Sequence, residues 1–263
     1  MTSKTDILAC LQEFAPISLE EMEGVKLMNR IDTKFVVQSW LLPEILQNAK
    51  HTYFAQEINE KRIVTYDTMY YDTDDLEMYL RHHDRQLVRQ KIRIRQYVES
   101  HLNFLEIKRK NNKGRTKKKR ITLPEPEMTR PTSDVVEFIA AKSRYTWEQI
   151  SPKLRTVFHR ITLVNKAKTE RLTIDFDLVW ENQLSGMTKT YPDLVIIELK
   201  RNGHVPSPML GIMQLLRIKP LKISKYCIGT ALTTPHLKRN RFKKKIRLIE
   251  KLLNINPQNY NSL

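Results

Sequence analysis

The sequence predicts an α+β fold: an antiparallel sheet that curls into a closed or nearly closed barrel, with helices around it. Three observations lead there. Between Arg85 and Lys110 the chain reads RQLVRQKIRIRQYVESHLNFLEIKRK and alternates in steps of two. Arg89, Lys91, Arg93 and Arg95 share one parity, while Val88, Gln90, Ile92, Ile94 and Gln96 take the other. After a break at Glu99–His101, Glu106, Lys108 and Lys110 again oppose Leu105 and Ile107. Successive side chains of a strand point to opposite faces, so each of these strands has an aliphatic face and a cationic face. Secondly, the same alternation returns in later segments. Thirdly, segments of helical spacing, such as Thr5–Phe14 and Pro208–Arg217, stand alongside the strands.

The elements follow in order. Thr5–Phe14 has helical spacing through Ile7, Leu8, Leu11 and Phe14, and stops near Pro16. Arg30–Gln38 reads as a strand with Arg30, Asp32 and Lys34 on one face. Pro43 suits the first turn of a short helix that runs to about Lys50. Arg62–Asp72 is β-rich, and Asp74 can cap a helix from Asp75 to His83. The two basic strands come next, joined by the short ESHLN turn. Asn111–Gly114 makes a turn into Arg115–Leu123, where Ile121 and Leu123 oppose Lys118 and Arg120. Pro124, Pro126 and Pro131 mark an irregular link, after which Ser133 or Asp134 can cap a helix to Lys142. Pro152–Leu163 is ambiguous between helix and strand. In Arg171–Val179, Arg171, Thr173 and Asp175 oppose Leu172, Ile174 and Phe176. Leu194–Arg201 is a strand with Ile196, Glu198 and Lys200 on one side, Pro208–Arg217 a helix, Ile223–Ala231 the last strand, and Leu237–Leu253 a basic amphipathic helix.

Alternating polar and apolar residues ordinarily mean a solvated sheet face, but such a face mixes its signs. Here like charges stand two apart on a strand and beside like charges on its neighbour, an arrangement that destabilises a sheet. Something anionic has to compensate, so the basic faces are expected to look into an enclosed space that holds a polyanion. Closure also removes exposed strand edges. LEIKRKN at 105–111 is echoed by IELKRNG at 197–203, which suggests two halves of one sheet offering the same Glu-x-Lys pair to a shared space.

Of 263 residues, 46 are Lys or Arg against 29 Asp or Glu, a formal net charge of +17. That balance favours nucleic acid, phosphate-rich ligands or an anionic membrane. Cys10 and Cys227 stand far apart in no CxxC pattern, which argues against a structural zinc site and for reduced thiols. The first residues lack a signal-peptide pattern and no apolar run is long enough to span a membrane, so the chain reads as cytoplasmic and soluble. There is no P-loop and no dinucleotide fingerprint, and six glycines are too few for a Gly-rich phosphate cradle. Any phosphate must be gripped by Arg and Lys side chains from strands. Glu106 and Glu198 are the acids on cationic faces. Each is either a salt-bridge partner or a ligand for Mg²⁺ or Mn²⁺, which commonly needs only one or two carboxylates plus substrate phosphates. The Lys113–Arg120 run reads as a solvated loop or a nuclear-type basic patch.

Eight short motifs, in this order, resemble the VTC domain, the polyphosphate polymerase domain of the triphosphate tunnel metalloenzyme superfamily. They are RIDTK at 30–34, YYDT at 70–73, KIRIR at 91–95, LEIK at 105–108, FHR at 158–160, RLTID at 171–175, IELK at 197–200 and KISKY at 222–226. The resemblance implies a closed antiparallel eight-stranded β-tunnel with flanking helices over residues 1–235, followed by the basic helix of 236–263. It further implies a metal-dependent enzyme that binds ATP in the tunnel, moves its γ-phosphoryl group to a growing polyphosphate chain and releases ADP. Carried over by position, Arg93, Arg95, Lys108, Arg160, Arg171 and Lys200 are the catalytic candidates. Lys34, Lys118, Arg120, Lys222, Ser224 and Lys225 are candidates for holding phosphates, with the register among Lys117, Lys118 and Lys119 open. Glu198, with Glu106 as helper, would bind Mn²⁺ or Mg²⁺.

Two departures stand out. The family has a Tyr two residues before the Arg of the FHR segment, where this chain has Phe158. The hydrolase branch carries Glu-x-Glu-x-Lys on the first strand, where this chain has Arg30-x-Asp32-x-Lys34. The competing readings are a tunnel triphosphatase or polyphosphatase, and a non-catalytic polyanion binder. Nucleic acid is not expected, because aromatics do not interleave with the cations as in a base-stacking platform. The C-terminal helix either packs on the domain or docks to an anionic membrane or a membrane partner.

Overall fold

The computed structural model describes residues 4–23, 30–125 and 131–254. Pro126 of the irregular link and residues 255–263 after the basic helix lie outside these. The chain begins with α1 (Lys4–Gln12), β1 (Ala15–Ile17), α2 (Leu19–Glu23), β2 (Arg30–Gln38) and α3 (Leu42–Ala49), the last with Pro43 in its first turn. It continues through β3 (Tyr53–Gln56), β4 (Val64–Asp72), α4 (Glu77–His83), β5 (Arg89–Tyr97), β6 (Leu102–Lys110) and β7 (Thr116–Leu123). The second half holds α5 (Ser133–Lys142), β8 (Ser151–Asn165), β9 (Glu170–Asn182), β10 (Thr188–Tyr191), β11 (Leu194–Asn202), α6 (Pro208–Leu215), α7 (Lys225–Thr233) and α8 (Lys243–Leu253).

Eight strands form one antiparallel path in the order β2-β11-β9-β8-β4-β5-β6-β7, with β3 and β10 added beside β8 and β9 and β1 paired in parallel with β3. The fold is thus α+β with a large antiparallel sheet, but the expected closure is corrected. Among the described residues no ladder joins β7 to β2. The free edge of β2 is already occupied by the connection from α6 to α7: the Leu221 N–H donates to the Lys34 carbonyl (2.7 Å), and Pro220 lies opposite Phe35. Pro220 offers no N–H with which to extend a ladder. β7, for its part, exposes Lys117, Lys118, Lys119 and Arg120, which would meet Arg30 and Lys34 across any closing seam.

The sheet separates apolar from charged residues by parity. Outer-face residues of β2, β8, β9 and β11, such as Phe35, Ile161, Ile174 and Ile197, form a buried core with α1, α3 and α6. Outer-face residues of β5 and β6, among them Ile92, Ile94, Leu105 and Ile107, pack beneath Val135 and Ile139 of α5. The inner face is apolar at one end only, where Leu154, Trp180 and Ile196 receive Tyr226, Ile228 and Ala231 of α7 and Ile246 and Ile249 of α8.

Four local expectations change. Ile223–Ala231 is not a strand: α7 starts at Lys225, with the Ser224 hydroxyl accepting from the Cys227 N–H (3.2 Å) as its cap. Asp74 does not cap α4, because its carboxylate is held by Lys153 (2.7 Å). The buried Asp72 does so instead, accepting from the N–H groups of Met78 (2.8 Å) and Tyr79 (2.9 Å). α5 does begin at Ser133, yet its N-cap is Thr132, with no side-chain capping bond. Pro152–Leu163 resolves to strand β8, and the basic helix starts later than expected, after a 3-10 turn at Asn240–Phe242.

The packing of α7 into the curl leaves no room at Gly229. A Cβ there would lie 2.7 Å from Trp180 Cδ1 and 2.8 Å from Leu154 Cδ2. Gly229→Ala is therefore expected to lower the free energy of unfolding by about 1–3 kcal/mol despite alanine's better helix propensity, measured by urea titration.

Candidate functional site

The register fixes which side chains share the inner face. On β5 and β6, Arg93 lies opposite Glu106 and Lys91 opposite Lys108, and on β7 Arg120 and Lys118 continue the same rows. On the other side, Glu198 of β11 stands between Lys34 of β2 and Thr173 of β9, and Lys200 between Asp32 and Arg171. Arg160 of β8 lies opposite Asp175 of β9. Charges from opposite ends of the path also act on one another. Lys108 of β6 influences Glu198 of β11, five ladders away, and Lys34 of β2 influences Lys91 of β5. The sheet curls enough for its two basic halves to share one space.

Three carboxylates anchor the cations in that space. Glu106 is fully buried, with Arg93 at 2.5 Å, Lys118 at 2.5 Å and Arg95 at 3.8 Å. Burial pushes its carboxyl up, but Arg93, Arg95 and Lys118 outweigh burial and hold it well below the usual range. Asp175 accepts both Nε and an NH of Arg160 (2.5 and 2.8 Å) and also pairs with Lys225. Burial raises it and these two cations pull it far down. Glu198 is looser and more open, 24% exposed, with Lys200 at 3.1 Å and Lys34 at 3.7 Å. Burial raises it, and Lys34, Lys200 and Lys108 together take it well below the ordinary value.

Cations still exceed carboxylates. Lys108 and Arg171 form no direct ion pair among the described residues, although both lie near enough to Glu198 to feel its charge. Arg93, together with burial, depresses the Lys108 ammonium strongly. Burial and the nearby Arg30 and Arg160 weaken the proton affinity of Arg171. Burial also brings Lys200 down to about 8, against the opposing pull of Glu198. Lys91 donates to the Ser224 hydroxyl (2.8 Å), and burial lowers its ammonium as well. Arg93 and Arg95 are 11% and 9% exposed, so their guanidinium groups face inward.

Aromatic rings line the space between the cations. Arg160 lies over the Tyr66 ring at 4.3 Å and Arg95 over the same ring at 5.2 Å. Tyr66 itself stacks on Phe158. The Tyr70 hydroxyl accepts from Arg93 (3.3 Å); burial alone would raise this phenol, but Arg93, Arg95, Lys91 and Lys225 bring it down. Arg120 covers Phe104 at 4.4 Å.

Of the residues singled out from the sequence, all but one meet on this inner face or at the N-terminus of α7. Lys222 stands apart, exposed, in a neighbouring chamber. Four residues were not singled out. Asp175 and Lys91 sit inside the motifs RLTID and KIRIR, and parity with Arg171 and Arg93 was the signal. Tyr66 and Tyr70 share the parity of Thr68 on β4, which reading for charge alone passes over. No group of three or more His, Cys, Asp or Glu side chains forms a metal cage among the described residues.

Residues 29–234 match the VTC domain family. No curated protein matches. Among solved structures, the chain is similar to a candidate adenylate cyclase from Vibrio parahaemolyticus, with 9% identity over 78% of this chain and 99% of that one and a TM-score of 0.47. It is similar to a candidate adenylyl cyclase from Hippeastrum described as having a dominant triphosphatase activity, with 14% identity over 80% and 99% and a TM-score of 0.45. A protein from Pyrococcus horikoshii aligns at 14% identity over 77% and 98%, with a TM-score of 0.39.

Because Lys108 and Arg171 form no direct ion pair among the described residues and are crowded by other cations, their loss costs the unliganded protein little. Lys108→Met and Arg171→Met should leave stability unchanged or slightly higher, while each weakens binding of tripolyphosphate by about tenfold or more, read by calorimetry. The paired acid behaves oppositely. The Asp175 carboxyl is depressed in the folded state, so its contribution is complete above the unfolded value of about 3.9 and is lost as pH falls. Thermal stability should fall on acidification from about pH 5 downward, less steeply in Asp175→Asn than in the wild type.

Proposed function

The chain belongs to the VTC domain family, and from that premise we propose that it is a metal-dependent polyphosphate polymerase that uses ATP. The observation that carries this reading is the surplus of inward cations around a shared space, with Glu198 among them as a carboxylate held only loosely by Lys200 and Lys34. Phosphoryl transfer needs chiefly positioning and neutralisation of charge. Lys108, Arg171, Arg93, Arg95 and Arg160 suit the non-bridging oxygens of a triphosphate. Lys34, Lys118, Arg120, Ser224, Lys225 and, further out, Lys222 would hold the neighbouring phosphates. Lys200, with its ammonium brought down to about 8, lies beside Glu198 within reach of the same space.

The residues present fit a divalent cation held in part by substrate. Glu198 has loose partners that a cation could replace, and Mg²⁺ or Mn²⁺ is commonly bound by one or two carboxylates plus phosphate oxygens. Both oxygens of Glu106 are engaged by Arg93 and Lys118 at 2.5 Å, which suits it to holding those cations in place rather than to binding metal. When bound, the metal would supply additional neutralisation of the phosphate oxygens. In the transfer, a terminal oxygen of the polyphosphate chain attacks the γ-phosphorus. A new P–O–P link forms, the bond between γ-phosphorus and the β–γ bridging oxygen breaks, and ADP leaves with that oxygen and its electron pair. The buried guanidinium groups stay protonated throughout and give up no proton.

Hydrolysis is the second reading, and β2 speaks against it. The single acid of that strand, Asp32, is tied to Arg30 at 2.6 Å instead of facing a second carboxylate.

Purified protein incubated with ATP and Mn²⁺ should yield long-chain polyphosphate and ADP in matching phosphate equivalents. Glu198→Gln should lower the rate by about 100-fold or more while retaining tripolyphosphate binding. Orthophosphate with no polymer would transfer the assignment to a hydrolase, and no product at all would remove it.

A further inference from the structure

Beside the N-terminus of α7 lies a second chamber of about 460 Å³. It is lined by Arg85, Arg89, Lys222, Arg241 and Lys245, together with His82, and by no carboxylate. Asp84, the nearest acid in sequence, is committed to His83 (2.7 Å) and Lys238 (3.0 Å). Burial lowers the Lys245 ammonium, and Arg85 and Lys222 lower it further. Burial takes His82 down to about 2, assisted by Lys91, Arg89 and Lys245, and its Nδ1 is buried without a partner. Five like charges around a concave space whose lining holds no carboxylate favour an anion there.

The chamber adjoins the space enclosed by the curled sheet. Arg89, Lys91, Arg93 and Arg95 occupy alternate positions of β5, so one row of cations runs from the inner face out to the chamber wall, at roughly 7 Å per step. Ser224 belongs to both spaces: it lines the chamber and accepts from Lys91 across the boundary at 2.8 Å.

We infer that this chamber is a second phosphate-binding site, which takes the part of a polyphosphate chain that extends past the inner-face space at the Lys91–Ser224 boundary. The inference rests on the tunnel reading above and deepens it. A triphosphate occupies the inner-face space alone; a long chain engages both spaces, and the second set of contacts lowers its dissociation rate by the gain in effective concentration.

The test compares the full chain with the double variant Arg85→Glu, Lys245→Glu and with a control that makes the same charge change at Lys166 and Lys168, in the turn between β8 and β9. Affinities for tripolyphosphate and for long-chain polyphosphate are measured at physiological salt. The double variant should lose about tenfold or more in long-chain affinity and stay within about twofold of wild type for tripolyphosphate, while the control keeps both. An unchanged long-chain affinity, an equal loss for both ligands, or the same loss in the control overturns the chamber and leaves the tunnel reading standing. If tripolyphosphate does not bind the wild type, the tunnel reading fails and the chamber fails with it.

Discussion

Repulsion among inward-facing cations is the constraint on which the rest of this molecule depends. Two unit charges 4 Å apart interact by about 4 kcal/mol at an effective dielectric of 20, a large fraction of the net stability of a domain. Glu106, Asp175 and Glu198 relieve part of it, each by drawing together cations from different strands. The remainder is offset elsewhere, by the apolar outer face. The cores under α1, α3, α6 and α5 hold the curled sheet from outside, so the inner face does not have to be stable by itself. An interior that is electrostatically unfavourable when empty is held open by a shell that is favourable at all times, and an anion entering it would gain the difference as affinity.

The parts of this arrangement that follow a period of two were legible in the chain. The strands that carry the basic motifs could be recognised because every second residue on them is charged and its neighbours are Ile, Leu or Val. What failed had no such period. Segment 223–231 is buried on all sides, with Tyr226, Cys227, Ile228, Thr230 and Ala231 all enclosed, so its helix shows no amphipathic spacing and its β-branched residues read as strand. Closure was inferred from the wish to remove edges, yet the β2 edge is covered by residues around Pro220, a tertiary contact with no local signature. Asp175 was visible as a letter in RLTID, but its importance rests on meeting Arg160 and Lys225, which come from a neighbouring strand and a distant helix.

On the polymerase reading, the unclosed seam suits the polymer. A sheet path that ends at β2 on one side and β7 on the other leaves β7 with exposed lysines at its rim. Lys118 is 38% exposed although it pairs with Glu106 at 2.5 Å, so it stands between interior and solvent. On the polymerase reading, the outer lysines attract a chain before it is threaded, and the enclosed arginines hold it once water is excluded, where each contact is worth more.

The echo between LEIK and IELK has a structural counterpart that bears on which carboxylate does the work. β6 and β11 are each second from an end of the eight-strand path, and both place a Glu and a Lys two apart on the inner face. Their surroundings then diverge. Glu106 is sealed, with both oxygens matched at 2.5 Å and no exposure, and removing either partner would strand a buried charge. Glu198 keeps a quarter of its side chain exposed and its cations at 3.1 and 3.7 Å, so exchanging them for a metal and phosphate oxygens costs little. On the polymerase reading, two copies of one short pattern would thus take complementary duties: the tight copy would fix the arginines, and the loose copy would remain free to change partners during the reaction.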